Sequence, residues 1–197
     1  MTLLLKLSQL IDWISERVGK GAFWLILLMT VISASNAVVR FVFNYSSNGL
    51  LEIQWYLFAA VFLLCSPYTL QKNEHVRIDV LSGKLSPRGL AVIDIIGTLF
   101  FLLPMVVLVL YLSIPLVADS YHISEMSANA GGLIRWPVKI LLPIGFSLLA
   151  LQGISELIKR IAFLQGRIDD PNSKPKGPSA EEELAAAIAA AKAQEAK

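Results

Sequence analysis

His75, Arg77 and Asp79, in the stretch "HVRIDVL" from His75 to Leu81, form the densest group of chemically capable side chains in the first two-thirds of the chain. An imidazole with a carboxylate four residues on could hold a metal ion or move a proton, provided a second ligand or partner sits on the same side. The remaining inventory is thin. Cys65 is the single cysteine, so the paired thiols of a quinone-linked thiol oxidoreductase are missing, and its apolar setting suits an inert small hydrophobe. A b-type haem needs two axial ligands on one side of a membrane, and His75 and His122 fall on opposite sides in the orientation argued below. There is no Gly-rich phosphate loop and no zinc-ligand set; Gly131 and Gly132 read as a flexible loop element.

The elements that must position these residues are apolar. Of 197 residues 55% are hydrophobic and 16% charged, and the mean hydropathy is +0.63, which places the chain among polytopic membrane proteins. A hydrocarbon core of about 30 Å takes roughly 20 apolar residues per helix. Four such runs occur, over about 21–43, 50–70, 90–117 and 137–158. Unpaired backbone is not tolerated in lipid, so the runs are expected to be helices packed as a small bundle. The third run is longer than a bilayer requires and holds Pro104 and Pro115, which predicts a tilt or a kink.

Residues 1–20 place Leu3, Leu7, Leu10, Ile14 and Val18 at helical spacing, with Lys6, Asp12, Glu16 and Arg17 elsewhere. This predicts an amphipathic helix in the membrane interface, with Trp13, Arg17 and Lys20 as surface anchors. The rival, a signal peptide, is disfavoured by charges that interrupt its apolar region. Residues 165–197 form a Pro-rich linker and an Ala-rich helical tail, read as solvated because it lacks an amphipathic stripe. The expected fold class is therefore an all-α membrane protein, four transmembrane helices preceded by an amphipathic interfacial helix.

Lys and Arg set the orientation, because basic loops stay in the cytoplasm. Lys6, Arg17 and Lys20 precede the first span; Lys72, Arg77, Lys84 and Arg88 lie between the second and third; Lys159, Arg160 and Arg167 close the fourth. Both termini are thus expected in the cytoplasm, with the stretch "NYSSNG" and the loop from Ala118 to Trp136 outside. The net charge of +2 concerns insertion and does not argue for nucleic acid.

Small multidrug exchangers place a carboxylate near mid-membrane, where a charge is costly and usually functional. Here Glu52, Asp94 and Glu156 fall within a turn or two of an expected helix end. The polar group Ser33 to Asn36 in the first span reads as packing glue or, more sharply, as a substrate contact. These residues describe a non-catalytic membrane subunit that needs no cofactor.

The order of features resembles the small DctQ-like subunit of tripartite ATP-independent periplasmic (TRAP) transporters over about Leu10 to Leu164. The resemblance is carried by Glu52 at the entrance to the second span, Trp55 and Tyr56 one turn on, and "HVRIDVL". A looser match joins "SEMS", Ser124 to Ser127, to "WPVKILLPIGFSLLALQ" from Trp136. Leu51 stands where the family often has a second acidic residue, and Trp136 precedes Pro137 where the reverse order is common. The resemblance implies a bacterial inner-membrane protein whose partners are a large multi-span permease subunit and a periplasmic solute-binding protein, besides membrane lipids. It also implies sodium-driven uptake of an organic acid, with this chain as a scaffold. A self-associating small exporter or channel is the alternative.

Residue roles follow in two versions. Glu52 could contact the large subunit or backbone at the outer interface, or simply favour a helix N-terminus through the dipole. Trp55 and Tyr56 are interfacial aromatics by default. Asp119, Glu125 and Arg135 could touch the binding protein, or be solvated loop charges. The mixed set His75, Arg77 and Asp79 suggests a clamp on span ends or on the partner, against a plain retention charge that would need only Lys or Arg.

Overall fold

A computed structural model describes residues 2–45, 47–73 and 86–170. Helix α1 runs without interruption over Thr2–Phe43, and α2 over Asn48–Gln71. The third span is composite: α3 over Pro87–Gly97, a π turn over Thr98–Leu102 and α4 over Leu103–His122. A short α5, Trp136–Lys139, leads into α6, Leu141–Leu164. Four helical segments are long and apolar enough to cross a membrane, Thr2–Phe43, Asn48–Gln71, Pro87–His122 and Trp136–Leu164. With helices throughout and a single isolated β-bridge among the described residues, the protein is an all-α membrane protein.

From Thr2 on, the stretch expected to lie flat and the one expected to span, 21–43, form one helix. Its 42 residues make it about 63 Å long at the usual rise. The buried stripe of its first half is Ser8, Ile11, Ser15, Gly19 and Ala22, a row at helical spacing that is small at every position but Ile11. The leucine stripe points outward, with Leu3, Leu7 and Leu10 exposed. In lipid the apolar face is content outside, and close backbone approach favours small residues in the seam.

Two glycines make that approach possible. A Cβ on Gly19 would stand 2.6 Å from Tyr68 Cβ, and one on Gly145 would stand 2.8 Å from Leu63 Cβ. Both therefore mark places where α2 lies directly against a neighbour, α1 in the first case and α6 in the second.

Pro104 explains the π turn. Its ring clashes with the carbonyl four residues back and it offers no N–H, so the preceding turn widens. The Leu103 N–H accordingly bonds to the Thr98 carbonyl five residues back. Helix α4 continues through Pro115. The four spans do not form a closed bundle: spans one, two and four pack on one another, whereas span three packs substantively on span four alone. The third span extends beyond residues 90–117 at both ends and α6 reaches six residues beyond 158, so Glu156 lies more than two turns from its helix end.

Candidate functional site

The fold gathers its polar groups at two levels, one at the end carrying the 123–135 loop and one at the end carrying the chain's N-terminal segment. At the loop end the organising group is Glu52, in the first turns of α2 and only 2% exposed. One oxygen accepts from the Ser127 hydroxyl and from Asn129 Nδ2 at 2.8 Å; the other accepts from the Leu133 N–H at 2.7 Å. A carboxylate offers about four lone-pair sites, and three donors from one loop fill most of them.

The loop is shaped to deliver those donors. The Ile123 N–H closes α4 on the Asp119 carbonyl, after which Ser124 turns the chain with φ of +48°. Ser127 N–H to Leu133 O at 2.9 Å and Arg135 N–H to Glu125 O at 2.8 Å then form a narrow ladder around the Met126–Ile134 bridge. Gly131, at φ +71°, makes the return. Gly132 has no room for a side chain, since a Cβ there would sit 2.5 Å from Ser127 Cβ and 2.9 Å from Glu52 Oε1.

Helix α2 holds the loop at two more points. Asn48 Nδ2 donates to the Ala130 carbonyl at 2.9 Å and the Tyr56 hydroxyl donates to the Ile134 carbonyl at 3.2 Å. Glu125 is ion-paired with Lys139, whose ammonium holds its carboxyl below the usual carboxylate range. Arg135 Nη2 donates to Ser127 Oγ at 3.4 Å. The ring of Trp136 meets that of Tyr121 edge to face at 5.4 Å.

At the other end Gln152, with no exposed surface, links α6 to α1. Its Nε2 donates to Asp12 Oδ1 at 2.9 Å and to Glu156 Oε1 at 3.1 Å, and its Oε1 accepts from the Ser15 hydroxyl at 2.7 Å. Ser155 donates to Asp12 Oδ1 at 2.8 Å and shares a 2.7 Å contact with the Ser8 hydroxyl. Lys159 Nζ lies 3.1 Å from Asp12 Oδ2 and 2.5 Å from Glu156 Oε1. Arg160 extends the network to span three, with Nε 3.3 Å from Asp94 Oδ2 and Nη2 3.9 Å from Glu156 Oε2. Gln71 Nε2 adds α2 by donating to the Asp12 carbonyl at 3.1 Å.

Of the residues singled out in the sequence, Glu52 and Ser127 are brought into contact, and Glu125 stands beside them on Lys139. Ser124 supplies the turn and does not touch Glu52. Trp55 is exposed on α2. Trp13 is exposed with the Arg17 guanidinium 5.3 Å from its ring centroid, and Lys20 pairs with Glu16 at 2.6 Å. His75, Arg77 and Asp79 lie outside the described residues, as does the tail from 171. The group Ser33 to Asn36 divides: Asn36 is buried against its neighbours while Ser33 and Ser35 face outward.

Sequence reasoning missed Asp12, Gln152 and Lys139 as organising residues. The signal was present for the first two: Ser8, Asp12 and Ser15 share a helix face, as do Gln152, Glu156 and Lys159. Among the described residues no group of three or more His, Cys, Asp or Glu could hold a metal ion. The arrangement consists of hydrogen bonds and ion pairs that join loop to helix and helix to helix.

Residues 29–163 match the family described as "Tripartite ATP-independent periplasmic transporters, DctQ component". The chain is also 32% identical over 79 residues to a Haemophilus influenzae protein named "Putative TRAP transporter small permease protein", covering 40% of this chain and 49% of that one. The chain thus spans about half the length of the curated relative it matches. No solved structure matches it.

Proposed function

We infer the role of this chain from its family: it belongs to the DctQ component of TRAP transporters, and is a transporter subunit and not an enzyme. Within that frame it acts as a scaffold for a large multi-span permease subunit, in a tripartite system fed by a periplasmic solute-binding protein. The system takes up an organic acid with sodium. The termini lie in the cytoplasm, and the 123–135 loop faces the periplasm.

The observation that carries the scaffold reading is where the membrane-depth polar groups go. Asp12, Gln152 and Lys159 are engaged between helices, Glu156 is held by Gln152 and Lys159 of its own helix, and Glu52 is engaged with the 123–135 loop. A carrier of polar solutes needs such groups lining a cavity at mid-depth. Here Asp12, Gln152, Lys159 and Glu52 brace, and the outward faces carry long apolar side chains such as Phe100, Phe101 and Tyr111. Those faces suit lipid and a second membrane protein.

Co-expression and reconstitution test the reading. The chain is expected to co-purify with the large subunit and to move no solute alone in proteoliposomes, whereas the two together move an organic acid along a sodium gradient when the binding protein is added. Transport by the chain alone would replace the scaffold with the self-associating exporter or channel. Reporter fusions at Lys197 and within 123–135 test the orientation.

A further inference from the structure

The cations at the two polar levels are taken up by carboxylates: Lys139 by Glu125, Lys159 by Asp12 and Glu156, Arg160 by Asp94. Matters differ where α1 passes the end of α2. Lys20 pairs with Glu16 at 2.6 Å and stays exposed. Arg17 lies over the Trp13 ring, and Lys72, just past α2, has its Nζ 5.5 Å from the Tyr68 ring centroid. Neither Arg17 nor Lys72 is ion-paired with a carboxylate among the described residues. A ring holds a cation in place without neutralising it. Both are near enough to act on Glu16, so three exposed cations surround one carboxylate and leave a net charge of +2.

The patch sits at a defined depth. The apolar run after Lys20, 21–43, and the run before Lys72, 50–70, each measure about 30–35 Å as helix, which is a hydrocarbon thickness. The cations therefore lie at the head-group level of one leaflet. Along α1, Arg17, Lys20, Trp24, Leu28 and Val31 follow at steps of three and four and share a face. Trp24, Leu28 and Val31 are exposed, so this face passes from cationic to apolar in the direction of the bilayer interior.

We propose that Arg17, Lys20 and Lys72 form a binding site for one anionic phospholipid, with the phosphate among the three cations and an acyl chain along Trp24 and Leu28. Charge selects the head group: a net +2 favours one without an ammonium and disfavours phosphatidylethanolamine. The apolar continuation selects a lipid over a free phosphate ester, which has no chain to lay along α1. The site goes beyond the scaffold role and does not depend on it.

The test uses the full chain released for native mass spectrometry from vesicles of equal parts phosphatidylglycerol and phosphatidylethanolamine. One phosphatidylglycerol per chain is expected to survive, retained about fivefold over phosphatidylethanolamine. Arg17→Gln and Lys72→Gln, both at exposed positions, should each lower that retention about fivefold with an unchanged melting midpoint. Glu16→Gln should raise it, a gain that damage to the fold cannot produce. Lys6→Gln, eleven residues and about 16 Å along α1 from Arg17, should leave it unchanged. Equal retention of the two lipids, no rise with Glu16→Gln, or a loss with Lys6→Gln equal to that with Arg17→Gln would overturn the site and leave a general attraction of basic residues to an anionic membrane. Displacement of the lipid by millimolar glycerol 3-phosphate would overturn the lipid as occupant in favour of a free phosphate ester.

Discussion

The two polar levels solve the same problem by different means. At the loop end one carboxylate on one helix gathers donors from a single loop, two of them uncharged side chains and one a backbone N–H. At the opposite end seven side chains on α1 and α6 share the load, and Arg160 and Gln71 extend it to span three and α2. The first is a hub, in which loss of one residue orphans several buried groups. The second is a mesh, in which Asp12, Gln152, Ser155, Glu156 and Lys159 each have more than one partner. Loops outside the membrane have no lipid to press them into place, so a hub fixes one conformation. Helices already held by packing need only register, and a mesh supplies it.

The sharpest way to break the contrast is Glu52→Ala. It removes the common acceptor of Ser127, Asn129 and the Leu133 N–H, and the loop is expected to open with its hydrogen exchange over 126–134 accelerated by about a hundredfold. Exchange in α6 should change little. Gln152→Leu is the matching cut in the mesh and should cost roughly 1–3 kcal/mol in denaturant unfolding in micelles. Paired with Ser15→Ala it should show non-additive losses, since both act on one hydrogen bond.

A smaller effect comes from packing. Gly145→Ala drives a Cβ into Leu63, with its carbonyl oxygen 3.0 Å away, and should cost about 1–2 kcal/mol. Gly21→Ala, where a Cβ meets nothing, should be neutral or slightly stabilising. The smallest effect is the pH response of the ladder beside the hub. Lys139 holds the Glu125 carboxyl below its ordinary value of 4.5. Its contribution is therefore fully present above that value and is lost as pH falls through the depressed one. The acid-side loss of loop protection should be weaker in Lys139→Met.

The four spans were legible because hydropathy and length decide them, and so was the weight on Glu52 and Ser127. What joins those two was not: they are 75 positions apart, and nothing in either local sequence names the other. Helix ends were misjudged at α6 because charged residues such as Glu156 and Arg160 read as an exit from lipid, whereas in the fold they are buried and paired with one another. In residues 2–20 the stripe read as the lipid-facing side of an interfacial helix includes Leu3, Leu7 and Leu10, which are exposed; the small and polar side that meets the neighbouring helices was not read. The usual rule of apolar side inward belongs to water; where the surroundings are themselves apolar, the small and polar side seeks the neighbour. The motif at 75–81, the most suggestive in the sequence, lies outside the described residues.

The unbroken α1 has a mechanical consequence. A rod about 63 Å long, fastened through Ser8, Asp12 and Ser15 near one end and helical without a break to Phe43, has no hinge at which to absorb a disturbance. A rotation of about 5° about the fastening at Asp12 would carry the tip at Phe43, about 46 Å away, by roughly 4 Å. The helix therefore works as a lever arm that ties the position of one membrane face to that of the other.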